Sequence, residues 1–180
     1  ISWVPEGVMR HDDRHGNELV TDSEHLMVMN AGSGFWHAEE TLAEDPPLRM
    51  LQIFVRPHSL DLEPDIQHEP IPDPVAGEWR HLFGPEGGDA PLYVRNAVDF
   101  YDCRLDADAT VTLPSRPGWD TYLYVFEGAV TVGDASVGYT ESAFVAGDGD
   151  VSVTADEDSL LVAFSLDPDA PITRQGTIGR

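Results

Sequence analysis

The sequence predicts an all-β protein built as two tandem β-barrels with little helix. Three observations lead there. Short apolar or alternating runs recur along the chain, parted by turn signals such as Pro117-Gly118, Glu127-Gly128, Gly133-Asp134, Ala146-Gly147-Asp148-Gly149 and Asp156-Glu157-Asp158. That spacing belongs to sandwiches and barrels. No stretch keeps a helical period for three turns. Finally, Trp3-Val4-Pro5-Glu6-Gly7-Val8-Met9 matches Tyr124-Val125-Phe126-Glu127-Gly128-Ala129-Val130 as apolar strand, x-Glu-Gly turn, apolar strand. Each copy is followed, after a hairpin, by another pair of strands, which is an internal repeat.

In chain order, Ser2 to His11 reads as strand, turn, strand, punctuated by Pro5 and Gly7. Asp12 to Asn17 is polar, and His15-Gly16-Asn17 suits a hairpin tip, with Glu18 to Thr21 as the return strand. His25 to Asn30 is a strand. Leu48 to Arg56 is apolar on both parities at several points, as expected of a strand buried on both faces. Pro57, Pro64, Pro70, Pro72 and Pro74 make residues 57–80 an irregular connector, in which His58 and His68 read as loop residues. Strands follow at Trp79–Phe83, Pro91–Val94, Val98–Leu105, Thr110–Leu113, Thr121–Phe126, Ala129–Val132, Ser142–Val145, Val151–Thr154 and Leu160–Leu166. The chain therefore divides into residues 1–56, the connector 57–80, and residues 81–180.

The composition excludes some partners. With 33 acidic and 10 basic residues the net charge is −23, and every basic side chain is Arg. Such a field repels nucleic acid and anionic membrane surfaces, so neither is expected as a direct partner. No apolar run nears the roughly 20 residues of a membrane span. No signal segment opens the chain, so a cytoplasmic protein is expected, acting as a monomer. An acidic, Lys-free surface is expected of a halophile protein, and a high-GC genome is the competing explanation. A melting curve against KCl separates them. A salt-adapted chain gains stability up to multimolar KCl, and equal stability at low and high salt removes that explanation. The single Cys103 excludes an internal disulfide. Set in Tyr101-Asp102-Cys103-Arg104-Leu105, it reads as a small core residue rather than a nucleophile.

Asn30-Ala31-Gly32-Ser33-Gly34-Phe35-Trp36-His37-Ala38-Glu39-Glu40 is the stretch with chemistry in it. On a strand, residues two apart share a face. His37 and Glu39 then point the same way, as two metal ligands or as a base and its orienter. Two solvated side chains on an open sheet face are the alternative. Phe35 shares their parity and Trp36 does not.

These residues resemble the pirin family. The Glu-Gly hairpin, the Met29 to Glu39 segment, the Leu51-Gln52-Ile53-Phe54-Val55 strand and the tail Pro171-Ile172-Thr173-Arg174-Gln175-Gly176-Thr177-Ile178 all match in order. The family's Gly-x-Gly-x-x-His-x-Glu motif fits Gly32 to Glu39 in full. The resemblance implies a bicupin, two cupin (jelly-roll-like) β-barrels, with a metal only in the N-terminal one. It implies one divalent metal, iron, held by three His and one Glu, of which His37 and Glu39 would be two. The other two belong to a His-x-His pair of the first cupin motif. With Gly7 as that motif's closing glycine, its Glu falls one place before Ile1 and the His pair further upstream. The metal is therefore expected to be absent or weakly bound in this chain. His11, past the Gly7 turn, and His15, at the hairpin tip, reach the site only by a changed register. The C-terminal barrel has no His pair near Gly118-Trp119-Asp120-Thr121 and is expected to be metal-free, its tail packing back on the first barrel.

The resemblance implies a quercetinase-like dioxygenase acting on a small planar aromatic substrate. Glu39 would be the catalytic group and a ligand, with Phe35, Met29 and Phe54 around the substrate. Its alternatives are a metal-dependent regulatory or redox-sensing protein with a protein partner, and an acidic scaffold with an incomplete site.

Overall fold

The structure is a computed structural model that describes residues 1–14, 16–147 and 149–174. His15, Asp148 and the tail positions Gln175, Gly176, Thr177 and Ile178 lie outside the described residues. No helix occurs among the described residues, and the seventeen elements are all strands. In chain order they are β1 (Ser2–Glu6), β2 (Met9–Asp13), β3 (Glu18–Thr21), β4 (His25–Asn30), β5 (His37–Glu40), β6 (Arg49–Gln52), β7 (Asp65–Pro70), β8 (Arg80–Pro85) and β9 (Leu92–Val94). Then follow β10 (Val98–Leu105), β11 (Thr110–Thr112), β12 (Asp120–Glu127), β13 (Val130–Val132), β14 (Ala135–Val137), β15 (Ser142–Val145), β16 (Ser152–Ala155) and β17 (Ser159–Leu166).

The chain forms two units. The first takes Ile1–Pro72, Pro91–Asn96 and the described part of Pro171–Arg180, and the second takes Asp73–Ala90 and Ala97–Ala170. In the first, one sheet runs β6-β1-β4-β7 and the other β3-β2-β5. Its interior packs Val4, Met9 and Met27 against Leu19, Met29, Leu48, Met50 and Ile66. Within this unit the Asn96 side chain donates to the carbonyls of Arg56 and Pro171. In the second, one sheet runs β15-β12-β17-β10-β8 and the other β11-β16-β13-β14. Its interior includes Leu105, Val111, Leu113, Leu123, Val125, Val130, Val153 and Leu161.

The repeat read from the Glu-Gly hairpins is a repeat of topology. In the first unit β1 pairs with β4 and β6, and β2 with β3 and β5. In the second, β12 pairs with β15 and β17, and β13 with β14 and β16. Both copies carry a register shift beside the hairpin glutamate, at Trp3/Glu6 and at Val125/Glu127. The following glycines, Gly7 and Gly128, sit at φ 82° and 81°. The copies differ at their edges. β16 lies between β11 and β13, and β17 between β12 and β10, whereas β5 and β6 each end a sheet.

That difference corrects one expectation. The run from Leu48 looked like a strand buried on both faces. Only Arg49–Gln52 is strand, and as an edge strand it is half-buried at Arg49, Met50 and Leu51. The proline-rich stretch also holds more structure than composition suggests. Within it β7 pairs with β4 over His25↔Pro70 to Asn30↔Asp65. His68 is therefore a strand residue, its ring stacked on His25 at 5.0 Å, with Nε2 donating to the Val20 carbonyl. Pro70 closes this outer strand, where a missing N–H is tolerated.

Candidate metal centre

The site grows out of the β2–β5 ladder. The strands run antiparallel with Arg10↔Glu40, His11↔Glu39, Asp12↔Ala38 and Asp13↔His37 as partners. Partners across an antiparallel ladder share a face, and so do residues two apart. His11, Asp13, His37 and Glu39 consequently lie on one face, together with Met9, which that face carries into the core of the first unit.

Two glycines turn β4 into β5. Gly32 has φ 54° and Gly34 φ 111°. A Cβ on Gly32 would run into the Leu62 carbonyl oxygen. There the loop is tied down by the Ser33 amide donating to that same carbonyl at 2.9 Å, while the Gly34 amide donates to Ala31 at 2.7 Å. The residues that open the motif are thus those that let the chain pass against 62–63 and re-emerge as β5.

His37 and Glu39 are exposed, as is all of β5. That exposure follows from the open edge. His11 and Asp13, one strand inward, have fully buried side chains. Asp13 accepts from His11 Nε2 at 3.2 Å, from the Asn17 amide at 3.1 Å and from Asn17 Nδ2 at 2.8 Å. A carboxylate only accepts, so Nε2 carries the proton. His11 Nδ1 is buried without a hydrogen-bond partner among the described residues. The His37 ring lies 5.6 Å from that of His11, nearly parallel at 18°, and 5.3 Å from that of Phe35.

The end of β5 is clamped from the other face. Arg10 Nε and Nη2 donate to Asp45 at 2.8 and 2.6 Å, and Asp45 also accepts from the Leu42 amide. The Arg10 hydrogen bonds hold the Asp45 carboxyl down at about 2. A carboxyl depressed in the folded chain stabilises it above the unfolded value near 3.8, and the contribution is lost as pH falls towards 2. Carbon-detected NMR should show Asp45 titrating near 2, with the 42–45 loop loosening from β2 only in that window; titration near 4 would mean no clamp in solution.

Of the residues expected at a substrate pocket, Phe35 is half-buried against His37. Met29 packs on the core that includes Met9. Phe54, beyond β6, is 63% exposed. Trp36 is 72% exposed with the Arg14 guanidinium over its ring. Cys103 is buried in the core of the second unit, where burial first and then Asp102 push its thiol up to about 11. It is no nucleophile.

His11 corrects the sequence reading. Spacing put it past the Gly7 turn, able to meet the pair only by a changed register. The ladder as formed sets it opposite Glu39. The signal was His11-x-Asp13 facing His37-x-Glu39, but the register between two strands whose nearest partners, Asp13 and His37, are 24 residues apart is a non-local property.

An imidazole and a carboxylate on one face fit a divalent transition metal in donor chemistry. Among the described residues, however, no group of three His, Cys, Asp or Glu is placed to hold one. His37 and Glu39 offer two donor groups, fewer than a stable metal site requires. In the second unit, counting from the paired glycines and along the ladders, the places of His11, His37 and Glu39 belong to Val132, Val151 and Val153. That face is apolar and offers no donor.

The pirin family profile matches residues 1–55, and the profile of the quercetinase C-terminal cupin domain matches residues 81–166. A pirin-like protein of Caulobacter vibrioides is 30% identical over 164 residues, 90% of this chain and 70% of that protein. A quercetin 2,3-dioxygenase of Escherichia coli O157:H7 is 24% identical over 168 residues, 93% of this chain and 72% of the relative. Human pirin is 31% identical over 142 residues, 74% of this chain and 49% of that protein. Among solved structures, bacterial pirin YhhW of Escherichia coli in complex with nickel(II) superposes with a TM-score of 0.81 at 22% identity, covering 93% of this chain and 71% of that one.

Proposed function

The chain belongs to the pirin family of the cupin superfamily, and from that premise we propose that it is a metal-binding bicupin with quercetinase-like dioxygenase activity on a planar, hydroxylated aromatic substrate. The observation that carries this reading is the placement of His37 and Glu39 on one face of β5, at the end of a loop that two glycines force into shape. A relative named quercetin 2,3-dioxygenase supports the reaction class, and one crystallised with nickel supports the metal. The remaining donors are proposed to be the family's His-x-His pair, upstream of Ile1.

In this reading His37 is a neutral imidazole donor and Glu39 a carboxylate donor. A bound divalent metal would supply Lewis acidity, lowering the pKa of a coordinated ring hydroxyl. Glu39, exposed on the open edge, would be the group that takes up that hydroxyl proton. Phe35 would stack on the aromatic ring of the substrate, and the Met29 side would close the apolar floor. No helix among the described residues is long and apolar enough to cross a membrane, and the −23 net charge concentrates cations near the site.

The test uses the protein carrying its upstream residues. Stoichiometric metal by elemental analysis and oxygen uptake with quercetin are expected, with both lost in His37→Ala and turnover lost in Glu39→Gln. Metal without turnover across a panel of flavonols would support instead a metal-dependent regulatory protein with a protein partner. Absence of metal would leave an acidic scaffold.

A further inference from the structure

We infer that His11, held by Asp13, is a positioning residue that fixes the ring of His37 for metal binding; the inference rests on the reading of His37 and Glu39 as donors. The fold does not require an imidazole here. In the second unit the same ladder position is Val132, 7% exposed and paired with Val153 in the core. An apolar residue satisfies the barrel, so an imidazole with a fully buried side chain is a cost that the first unit carries and the second does not.

The surroundings of His11 say what that cost supports. Asp13, itself fully buried, sets the tautomer and the plane of the His11 ring through Nε2. Asp13 is in turn fixed by two donors from Asn17, at the start of the return to β3. The His11 plane is thus anchored to a hairpin rather than left to rotate. Upon that plane lies the ring of His37, 5.6 Å away and 18° from parallel. His37 needs such a support because β5 ends its sheet and all four of its residues are exposed. An unsupported imidazole on an exposed edge samples several rotamers, whereas metal donors must be held within narrow limits by the residues packed behind them. Phe35, two residues before His37 in the loop that leads into β5, lies 5.3 Å from the same ring, so His37 is steadied by a ring on its own chain segment and a ring one strand inward.

Co²⁺ alone is the probe, titrated into the full-length wild-type protein, into His11→Val, which installs the residue of the second unit, and into His11→Phe, which keeps a flat ring under His37. Affinity is read by calorimetry, ligand geometry by the visible absorption of the bound Co²⁺, and folding by thermal melting. His11→Val should stay folded, bind Co²⁺ about 10–100-fold more weakly and shift the absorption, the usual effect of losing a group that orients a ligand. His11→Phe should recover most of the affinity. If wild type binds Co²⁺ and His11→Val matches it in affinity and spectrum, His11 is a core residue and the inference falls while the metal reading stands. If wild type takes up no Co²⁺, both fall. Should His11→Val unfold, Asp13→Asn gives the comparison, since it weakens the anchor while keeping the shape; unchanged affinity and spectrum there would overturn the inference.

Discussion

Replacing Asp102 with alanine should destabilise the second unit by about 3–5 kcal/mol, the usual cost of breaking a buried ion pair by removing one member. For a chain of this size that lowers the melting temperature by roughly 6–20 °C, at about 2–4 °C per kcal/mol. Asp102 is a cross-strand partner of Arg80, and the two close a fork of hydrogen bonds, Nε to Oδ1 at 2.8 Å and Nη2 to Oδ2 at 2.6 Å. Their side chains are 2% and 13% exposed, so a guanidinium that loses this carboxylate could not regain full hydration. Asp99 is the instructive comparison. It is also fully buried and binds His81 Nε2 at 2.8 Å and Arg116 Nε at 2.7 Å. Arg116 is 40% exposed and rests on Trp119, and the His81 side chain is 24% exposed, so water can reach both partners and Asp99→Ala should cost less than Asp102→Ala. Chemical denaturation of both variants in low and high KCl checks this. Salt should not rescue Asp102→Ala, because a buried pair is poorly screened. Equal losses for the two, or rescue by salt, would contradict the account.

Much of this architecture was legible because it is local. β10 and β15 fall on the residues that alternation and turn signals marked, and the Glu-Gly hairpins announced the repeat. What escaped was what depends on partners. β7 hides in a stretch whose prolines argue against a strand, and it exists because β4 offers it six residues of ladder. The run from Leu48 carries the composition of an inner strand yet lies at an edge, since burial is decided by what pairs beside a strand and not by the strand itself.

The site divides in the same way. His37 and Glu39 were visible through their spacing and the glycines before them. Their exposure was not, because it comes from β5 ending its sheet. His11 was weighed and set aside for want of a register, although His11-x-Asp13 has the same two-residue period as His37-x-Glu39. Two polar pairs of that period, each expected on a strand next to an apolar core, are a sequence signal of a shared face once the hairpin order places their strands side by side.

Gly128→Ala and Gly7→Ala should both be strongly destabilising, and by similar amounts, because the two glycines do the same job. Each sits at positive φ just after a register shift, where a Cβ costs about 1–2 kcal/mol of backbone strain. Neither has room for that Cβ. At Gly7 it would strike the Pro47 carbonyl oxygen and lie 2.7 Å from Leu48 Cα, and at Gly128 it would lie 2.9 Å from Ser159 Cα. Backbone cannot step aside as a side-chain end can, so overpacking adds about 1–3 kcal/mol more. Gly118 separates the two causes. It has φ 77° with nothing within 4 Å of the added Cβ, so Gly118→Ala should show the strain alone. Urea denaturation of the three variants should place Gly118→Ala well above the other two in stability; three equal losses would reduce the effect to backbone strain. Gly7→Ala carries a further consequence that Gly128→Ala lacks. The turn at Gly7 launches β2, whose register against β5 sets His11 opposite Glu39. Moving it away from Pro47 and Leu48 shifts the strand that supports the metal donors, so Co²⁺ affinity should fall in Gly7→Ala and hold in Gly128→Ala, even under conditions where both remain folded.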